Sequence, residues 1–239
     1  ALGVRPGGVL LVHSSLKSLG PVPGGAETVI RGLLAALGDA GTLLMPALSY
    51  ETVTPQNPVF EVRATPSRVG ALPEYFRLRE DTRRSLHPTH SVCGIGARAE
   101  EILRPHAQDS TPCGSNSPFR RLPDFEGQIL MLGCGLEPNT SLHAIEELVE
   151  PPYLYDPPLC YTLTDENGNT FQKVYRPHNF VGWAQRYERV GEVLSEPDLR
   201  TGKVLAAYCY LMEARALHKA ALGALMTNPL FFVERITES

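Results

Sequence analysis

The sequence predicts an α/β fold with a partly parallel sheet and a smaller antiparallel portion that forms a lid. Short apolar runs, such as VLLVH at 9–13 and QILMLG at 128–133, lack polar alternation, which is typical of strands buried on both faces of a parallel sheet. A helical pattern separates the first run from a second one, which is the order of a βαβ unit. From residue 153 the chain changes to prolines, aromatic residues and hairpin signals, which indicate the antiparallel portion.

The length and composition are those of an ordinary folded protein. The chain has 239 residues, of which 43% are hydrophobic and 20% charged, and we expect a single domain over 1–239 with a lid-like segment at about 153–180. The net charge of -4 and the lack of Lys or Arg runs argue against nucleic acid as a partner. Five scattered cysteines without a CxxC pair indicate buried thiols in a reducing compartment. No stretch resembles a signal peptide or a membrane span, so we expect a cytoplasmic protein without a membrane partner.

The first half of the chain contains most of the predicted parallel unit. Apolar residues at helical spacing end before Gly38, which predicts a helix with a glycine cap. The predicted elements are a strand at 9–13, a helix at 26–37, a strand at 41–46, a long loop at 50–68, a helix at 70–79, a weak strand at 91–96 and a short helix at 97–103.

The second half adds one strong strand, the lid and helical patterns. Pro151 and Pro152 are expected to stop a helix that follows the strand, and Asn167-Gly168 marks a hairpin turn. The predicted elements are a strand at 128–133, a helix at 141–149, a hairpin within 153–180, helices at 182–194 and 203–225, and a short final strand in PLFFVER.

The densest group of chemically useful residues follows the strand at 128–133. A glycine-rich turn leads to a helix that begins near Thr140, and ligands collect at the carboxyl ends of strands in open α/β sheets. Free backbone N–H groups at that helix start could bind an anion or a polarised carbonyl. His143 lies in the first turn, and Glu146 or Glu147 can share a face with its ring, as a general base requires. The same spacing also fits a capping and surface-charge pattern, so this alternative stays open.

Two further clusters lie on predicted loops. The stretch HSSLKSLG at 13–20 offers hydroxyls, N–H groups and one lysine, which suit a phosphate or an amide-bearing ligand, although a plain turn is the alternative. His87 and His90 stand close together, but zinc needs three or four ligands and Cys93 is adjacent to the pair. We therefore expect no metal and interpret 84–92 as a polar loop that meets a ligand.

Five motifs follow one another along the chain, namely VHSSL at 12–16, GTLLMPALS at 41–49, the segment 84–96, SPFRRL at 117–122 and LMLGCGLEPNTSLHAIEE at 130–147. Their order resembles that of the aminoglycoside 3-N-acetyltransferases, a family distinct from the GNAT acetyltransferases in fold. The resemblance runs from about residue 5 to Phe232 and includes the T-x-L-H-x-x-E stretch.

This resemblance implies an αβα-type core and an acetyl-CoA-dependent transfer to the 3-amino group of an aminoglycoside, which confers antibiotic resistance. It implies that Thr140, His143 and Glu146 are catalytic. The residues implied to contact acetyl-CoA are His13, Ser14, Ser15, Leu16, Lys17, Ser91 and Val92.

The acceptor site is expected to include Glu51, Asp156 and His178, with Asp165 and Glu166 adding negative charge nearby. Several members of the family carry an acidic residue where this chain has Arg176 and His178. We therefore expect a narrower aminoglycoside range than that of broad resistance enzymes.

We expect direct transfer in a ternary complex, with His143 as the base and Thr140 or a local backbone N–H as the oxyanion donor. Cys134 would be the nucleophile of a rival ping-pong scheme. Two other functions stay open, an acetyltransferase of a biosynthetic amine and a non-catalytic CoA-binding protein. The sequence leaves open whether the protein is a monomer or a homodimer.

Overall fold

The computed structural model describes residues 2–236 and has a mixed α/β architecture. Twelve strands are present in this range. They are β1 (Val9–Ser14), β2 (Thr42–Pro46), β3 (Val59–Glu61), β4 (Arg83–Arg84), β5 (Val92–Gly96), β6 (Gln128–Leu132), β7 (Leu159–Thr164), β8 (Thr170–Tyr175), β9 (Trp183–Gln185), β10 (Leu199–Val204), β11 (Ala207–Glu213) and β12 (Val233–Arg235).

Seven α-helices and five short 3₁₀ segments connect these strands within residues 2–236. The α-helices are α1 (Gly25–Leu37), α2 (Ala71–Arg77), α3 (Ala99–Leu103), α4 (Pro118–Arg121), α5 (His143–Val149), α6 (Val190–Val193) and α7 (Ala214–Thr227). The 3₁₀ segments are Leu16–Leu19, Arg104–Gln108, Leu122–Phe125, Thr140–Leu142 and Tyr187–Arg189.

The main sheet has seven strands in the order β10-β11-β6-β1-β2-β5-β4. The central strand β1 is parallel to both β2 and β6, and the outer pairs are antiparallel. The partly parallel sheet predicted from the apolar runs is therefore confirmed. Because β1 and β6 run in the same direction, their carboxyl ends meet at one edge of the sheet.

Helices cover both faces of this sheet and make a three-layer αβα core. Leu10 and Val12 pack with α1 and α2 on one face, whereas Leu11 packs with α3, α4, α5 and α7 on the other. Successive strand side chains point to opposite faces, so the side chains at 9–13 of the central strand β1 are all buried. This explains why 9–13 and 128–133 read as uninterrupted apolar runs.

The lid is a small sheet in which β3 pairs in parallel with β7 and β7 pairs with β8 as a hairpin. The hairpin turn forms as predicted, because the Asp165 carboxylate accepts hydrogen bonds from the backbone N–H groups of Asn167 and Asn169, both at 2.9 Å. Phe60, Tyr161 and Tyr175 form part of its own apolar cluster. The chain continues past β8 to His178, and the hairpin therefore places this residue near the main sheet.

Two predicted helices are partly wrong. Residues 203–225 begin with a hairpin, because β10 and β11 occupy 199–213 and only 214–227 are helical. Ala, Leu, Met and Glu favour helix locally, but β11 supplies the antiparallel partner that β6 needs on its free edge. Residues 182–194 likewise open with β9, which pairs with β12.

Most of the other expectations differ from the structure only at the ends of the elements. The helix α1 ends at Gly38 as predicted, and the Gly38 N–H donates to the Leu34 carbonyl at 2.8 Å. The loop at 50–68 also contains the short strand β3. In residues 2–236, no helix has both the length and the apolar character needed to cross a bilayer.

Candidate active site

The candidate site is built where β1 and β6 end side by side. Ser14 of β1 is opposite Leu132 of β6, and the chain then turns at Gly133. Gly133 has a φ of 72°, and a Cβ there would lie 2.8 Å from Ser18 Cβ and 2.9 Å from Ala207 Cβ, so glycine is needed for this turn. The turn leads into the 3₁₀ segment at 140–142 and then into α5.

A cavity of about 400 Å³ opens at this edge of the sheet. Residues from the ends of β1 and β2, the start of α5 and the segment after β8 line it, and its volume is typical of a small-molecule site. The polar lining residues are His13, Ser14, Tyr50, His90, Glu137, Thr140, His143, His178, Gln185 and Tyr187. Their side chains offer many hydrogen-bonding atoms and, among the lining residues that are described, a single carboxylate.

His143 is held by a carboxylate on its own helix. Its Nδ1 lies 2.9 Å from Glu146 Oε2, and the Glu146 side chain is fully buried. When Nδ1–H donates to this carboxylate, the lone pair of the ring stands on Nε2, which no residue of 2–236 hydrogen-bonds. His143 can therefore accept a proton from a ligand in the cavity.

Two tyrosines complete the surroundings of Glu146. Tyr187 Oη lies 2.7 Å from Glu146 Oε2 and 2.8 Å from His143 Nδ1, and Tyr153 Oη lies 2.7 Å from Glu146 Oε1. Burial and the neighbouring Glu146 raise the pKa of both phenols, so both stay protonated and donate to the carboxylate. Each oxygen of this buried carboxylate thus has a donor, which holds the Glu146 side chain in place.

The second carboxylate of this helix serves a different histidine. Glu147 Oε1 lies 2.7 Å from His178 Nε2 and also accepts from the Cys113 N–H, while Glu147 Oε2 accepts from Thr111. Burial raises the pKa of Glu147 and lowers that of His178 well below its ordinary value. Spacing alone allowed either carboxylate to meet His143, and the structure places Glu146 there and Glu147 against His178.

The expected free N–H groups at the helix start are used within the turn. The N–H of Thr140 donates to Pro138, those of Ser141 and Leu142 donate to the side chain and carbonyl of Asn139, and that of His143 donates to Thr140. The tight 3₁₀ geometry consumes these donors before α5 begins. Thr140 lines the cavity, and its hydroxyl remains as a local donor.

The residues predicted to contact acetyl-CoA fall into two groups. His13 and Ser14 line the cavity, and Lys17 is exposed on the 3₁₀ segment that follows β1. Burial lowers the pKa of His13 to about 3, so its ring is neutral. Ser15 accepts from the Ser18 hydroxyl, and Leu16 packs partly against the core.

Ser91 and Val92 do not line the cavity. The Ser91 hydroxyl donates to the Ala47 carbonyl and accepts from Arg84 Nε, both at 2.8 Å, and Val92 is fully buried in the core. These two residues hold the loop that follows β2 in place.

Of the residues predicted to bind the acceptor, only His178 lines the cavity. Glu51 pairs with Arg68 at 3.7 Å on the surface, and Asp156 donates its backbone N–H to Pro177 in the lid. Arg176 stacks on Tyr155 at 3.9 Å and pairs with Glu150, so it does not bring positive charge to the cavity.

Cys134, the candidate nucleophile for a ping-pong scheme, does not line the cavity. Burial raises the pKa of its thiol to about 12, so the reactive thiolate is disfavoured.

Three histidines come together beside the reacting position. Ring nitrogens of His90, His143 and His178 lie within 4.8 Å of one another. His87, the neighbour of His90 in the sequence, instead stacks on His106 with ring centroids 4.9 Å apart. This group could not be found from spacing, because its members come from three distant segments.

Tyr187 and Tyr153 were also missed by the sequence. Tyr187 lies 44 positions from His143 along the chain, in a stretch that reads as part of a helix. No local pattern connects the two.

Comparison with known proteins gives consistent matches. The family model described as aminoglycoside 3-N-acetyltransferase matches residues 11–225. The chain is 35% identical over 233 residues to aminoglycoside N(3)-acetyltransferase IV of Salmonella sp, covering 97% of this chain and 86% of that protein.

Two solved structures show the same likeness. The first is a histidine-to-alanine mutant of aminoglycoside acetyltransferase AAC(3)-IVa in complex with gentamicin C1A, with a TM-score of 0.80, 33% identity and coverage of 97% and 86%. The second is AAC-IIIb in a binary complex with CoASH, with a TM-score of 0.82, 26% identity and coverage of 100% and 94%.

Proposed function

The chain belongs to the aminoglycoside 3-N-acetyltransferase family, and on that premise we propose that His143 is the base for direct transfer of acetyl from acetyl-CoA to the 3-amino group of an aminoglycoside. Antibiotic resistance is the role proposed for this activity. The observation that supports the mechanism is the Glu146–His143 pair, which leaves the Nε2 lone pair free on the cavity wall. Because β1, α5 and the lid all contribute to one cavity, we also infer that 1–239 act as one domain.

The transfer needs one proton acceptor and one oxyanion donor. The uncharged acceptor amine attacks the thioester carbonyl, His143 Nε2 takes the proton from the attacking nitrogen, and the C–S bond breaks as the C–N bond forms. His143 then gives this proton to the departing thiolate of CoA. Because the amine attacks the thioester directly, no covalent enzyme intermediate is required. The Thr140 hydroxyl is the proposed oxyanion donor, because the backbone N–H groups of 140–143 are already bonded.

Acetyl-CoA is proposed to approach along the end of β1. His13 and Ser14 would meet the thioester arm on the cavity wall, and the exposed Lys17 would meet a phosphate group outside it. The CoASH complex of AAC-IIIb supports the cosubstrate. Ser91 and Val92 would act on this site only through the loop that they hold.

The acceptor is proposed to enter from the side of His178. Its Nδ1 has no hydrogen-bond partner in residues 2–236, and it can accept a second N–H of the reacting amine. The structure of a relative with gentamicin C1A supports an aminoglycoside as acceptor. Glu137 is the one carboxylate among the described lining residues, so we expect a narrow range of polycationic substrates.

The same scarcity of carboxylates favours a second candidate function, acetylation of a less highly charged biosynthetic amine. Glu51 and Asp156, which could have attracted a polycation, lie off the cavity. The two functions share the mechanism and differ only in acceptor.

The test uses the purified chain with acetyl-CoA and kanamycin-, gentamicin- and apramycin-type drugs. We expect release of CoA with at least one drug and a mass increase at the 3-amino position. His143→Ala should lower kcat by roughly 10²–10⁴-fold while acetyl-CoA binding stays within a few-fold. His218→Gln, a substitution on α7 outside the cavity lining, is the matched control and should keep full activity.

Two results would count against the proposal. If no drug reacts while acetyl-CoA still binds, the antibiotic assignment fails and the biosynthetic-amine function replaces it. If His143→Ala keeps more than about a tenth of kcat, His143 is not the base.

A further inference from the structure

The three histidines beside the cavity converge from separate parts of the fold. His90 precedes β5, His143 begins α5 and His178 follows β8, and all three line the cavity. Their ring centroids are 5.8 Å apart for His90 and His143, 5.3 Å for His90 and His178, and 4.9 Å for His143 and His178. One ring nitrogen of each lies within 4.8 Å of one ring nitrogen of the other two.

Hydrogen bonds determine which ring nitrogen of each histidine remains available to a ligand. His143 uses Nδ1 for Glu146, His178 uses Nε2 for Glu147, and His90 uses Nδ1 for the Thr89 hydroxyl at 2.9 Å. A ring whose N–H donates to a carboxylate carries a lone pair on its other nitrogen, and His90 carries one on Nε2 in the tautomer whose Nδ1–H donates to the Thr89 hydroxyl. In His178 that nitrogen is Nδ1, which is buried and has no partner in residues 2–236.

Three lone pairs in one place repel one another unless a cation or an N–H donor stands between them. Imidazole nitrogens are preferred ligands of Zn²⁺, whereas Mg²⁺ and Ca²⁺ prefer oxygen. A histidine that donates its other N–H to a carboxylate is the usual arrangement around zinc, and Glu146 and Glu147 provide it for two of the three rings.

We propose that His90, His143 and His178 form a zinc-binding site. The site binds the ion when the acceptor amine is absent. A tetrahedral ion with Zn–N distances of about 2.0–2.1 Å needs its nitrogens roughly 3.4 Å apart, so the rings rotate inward by a small amount. A water molecule from the cavity takes the fourth position. The sequence could not point to this site, because the candidate ligands near His90 in the chain are His87 and Cys93. Neither takes part in the site, whose other two ligands come from distant segments.

Zinc at this site inhibits acetyl transfer, a consequence that rests on the function proposed above. The ion takes the Nε2 lone pair with which His143 accepts the proton, and it fills the position of the reacting amine. Inhibition is therefore competitive with the acceptor and not with acetyl-CoA. We expect the reaction itself to need no metal.

Binding is tested on the untagged chain after treatment with EDTA and desalting, without acceptor. A chromophoric chelator competes for Zn²⁺, and X-ray absorption of the zinc-loaded wild-type protein counts its ligands. We expect one tight site per chain with three nitrogen neighbours at about 2.0 Å and one oxygen. Absence of stoichiometric binding, or a spectrum without three imidazoles, overturns the proposal.

Variants locate the site. His90→Gln and His178→Gln should each weaken zinc binding by more than tenfold, and Glu147→Gln by about 10- to 100-fold because it orients His178. His218→Gln should bind as the wild type does. If the first two variants bind zinc normally, the site is elsewhere and the proposal fails.

Turnover separates inhibition from a metal requirement. We expect the EDTA-treated chain to be fully active and added Zn²⁺ to raise the KM for the acceptor. An EDTA-treated chain that needs Zn²⁺ for activity overturns the inhibitory role. Since zinc binding is measured without substrate, a chain that binds zinc but acetylates no aminoglycoside counts against the proposed function and leaves the site intact.

Discussion

At the scale of single residues, the central feature is that adjacent carboxylates on α5 have different partners. Glu146 contacts His143, whereas Glu147 contacts His178 and anchors the segment at 111–113. Both carboxylates lie within reach of His143 by helical spacing, at three and four positions, and the packing around α5 sends Glu146 to His143 and Glu147 to His178. One short helix therefore organises both histidines.

This division predicts different effects for the two conservative substitutions. Glu146→Gln should lower kcat about 10- to 100-fold, because the amide is uncharged and has one acceptor oxygen, whereas the carboxylate accepts on both oxygens from His143, Tyr187 and Tyr153. Glu147→Gln should mainly raise the KM for the acceptor. Steady-state kinetics with a reacting aminoglycoside distinguish them, and the reverse pattern would show that Glu147 serves the base.

The two tyrosines provide a second matched pair. Tyr187→Phe removes the hydroxyl that touches both His143 and Glu146 Oε2, whereas Tyr153→Phe removes only the contact with Oε1. At about 1–3 kcal/mol for a lost buried hydrogen bond, Tyr187→Phe should reduce kcat by about 5- to 150-fold and Tyr153→Phe by less. If both variants show equally small decreases in kcat at saturating substrate, Tyr187 does not position the base.

At the scale of elements, one arginine fastens the loop after β2 to the sheet. Arg84 donates to the carbonyls of Val62, Thr65 and Ala47 and to the Ser91 hydroxyl. The loop it holds carries Leu48 and Tyr50, which line the cavity. The wall of the site on this side therefore depends on one partly buried cation.

Arg84→Lys should be destabilising because a single ammonium cannot reach four acceptors that a planar guanidinium satisfies together. We expect a loss of at least about 2 kcal/mol in the free energy of unfolding, measured with denaturant, and a higher KM for the acceptor. The neighbouring Arg83 pairs with Glu100 on the surface at 2.7 Å, so Arg83→Lys is the control and should change stability by less than about 0.5 kcal/mol. Equal stability of the two variants would contradict this role for Arg84.

At the scale of the whole molecule, the fold buries several neutral histidines between the sheet and the lid. Burial lowers the pKa of His13 and His106 to about 3, and it also lowers the pKa of His87, His90 and His178 well below the ordinary value of 6.5. The unfolded chain binds protons at these rings below pH 6.5, whereas the folded chain does not. Burial raises the pKa of Asp109 and Glu147, which works in the opposite sense at lower pH.

The protein should therefore lose stability as the pH falls below 6.5. Each histidine whose pKa is about 3 contributes a slope of about 1.4 kcal/mol per pH unit between pH 6.5 and 3. Unfolding free energies measured with denaturant at pH 7, 6 and 5 give this slope. In His106→Asn the slope should fall by about 1.4 kcal/mol per pH unit even if the variant is less stable, and an unchanged slope would contradict the prediction.

The sequence by itself determined the parts of the protein that rest on local patterns. The buried strands around 9–13 and 128–133, the helix α1 with its cap at Gly38 and the Asp165 turn all follow from periodicity and turn chemistry. The stretch from Thr140 to Glu146 could also be identified, because its residues lie within two turns of one helix. The motif order was sufficient to indicate the family.

Only the tertiary structure decided what depends on long-range contact. The chain forms a hairpin at 199–213 because β11 pairs with the free edge of β6. The Ala, Leu, Met and Glu residues of this segment favour helix locally. Helical spacing allowed either Glu146 or Glu147 to contact His143, so packing made the choice. Tyr187 approaches His143, and His90 meets His178, from segments that are far apart in the chain. Such contacts depend on how layers pack around the end of β1, and local sequence spacing carries no information about that packing.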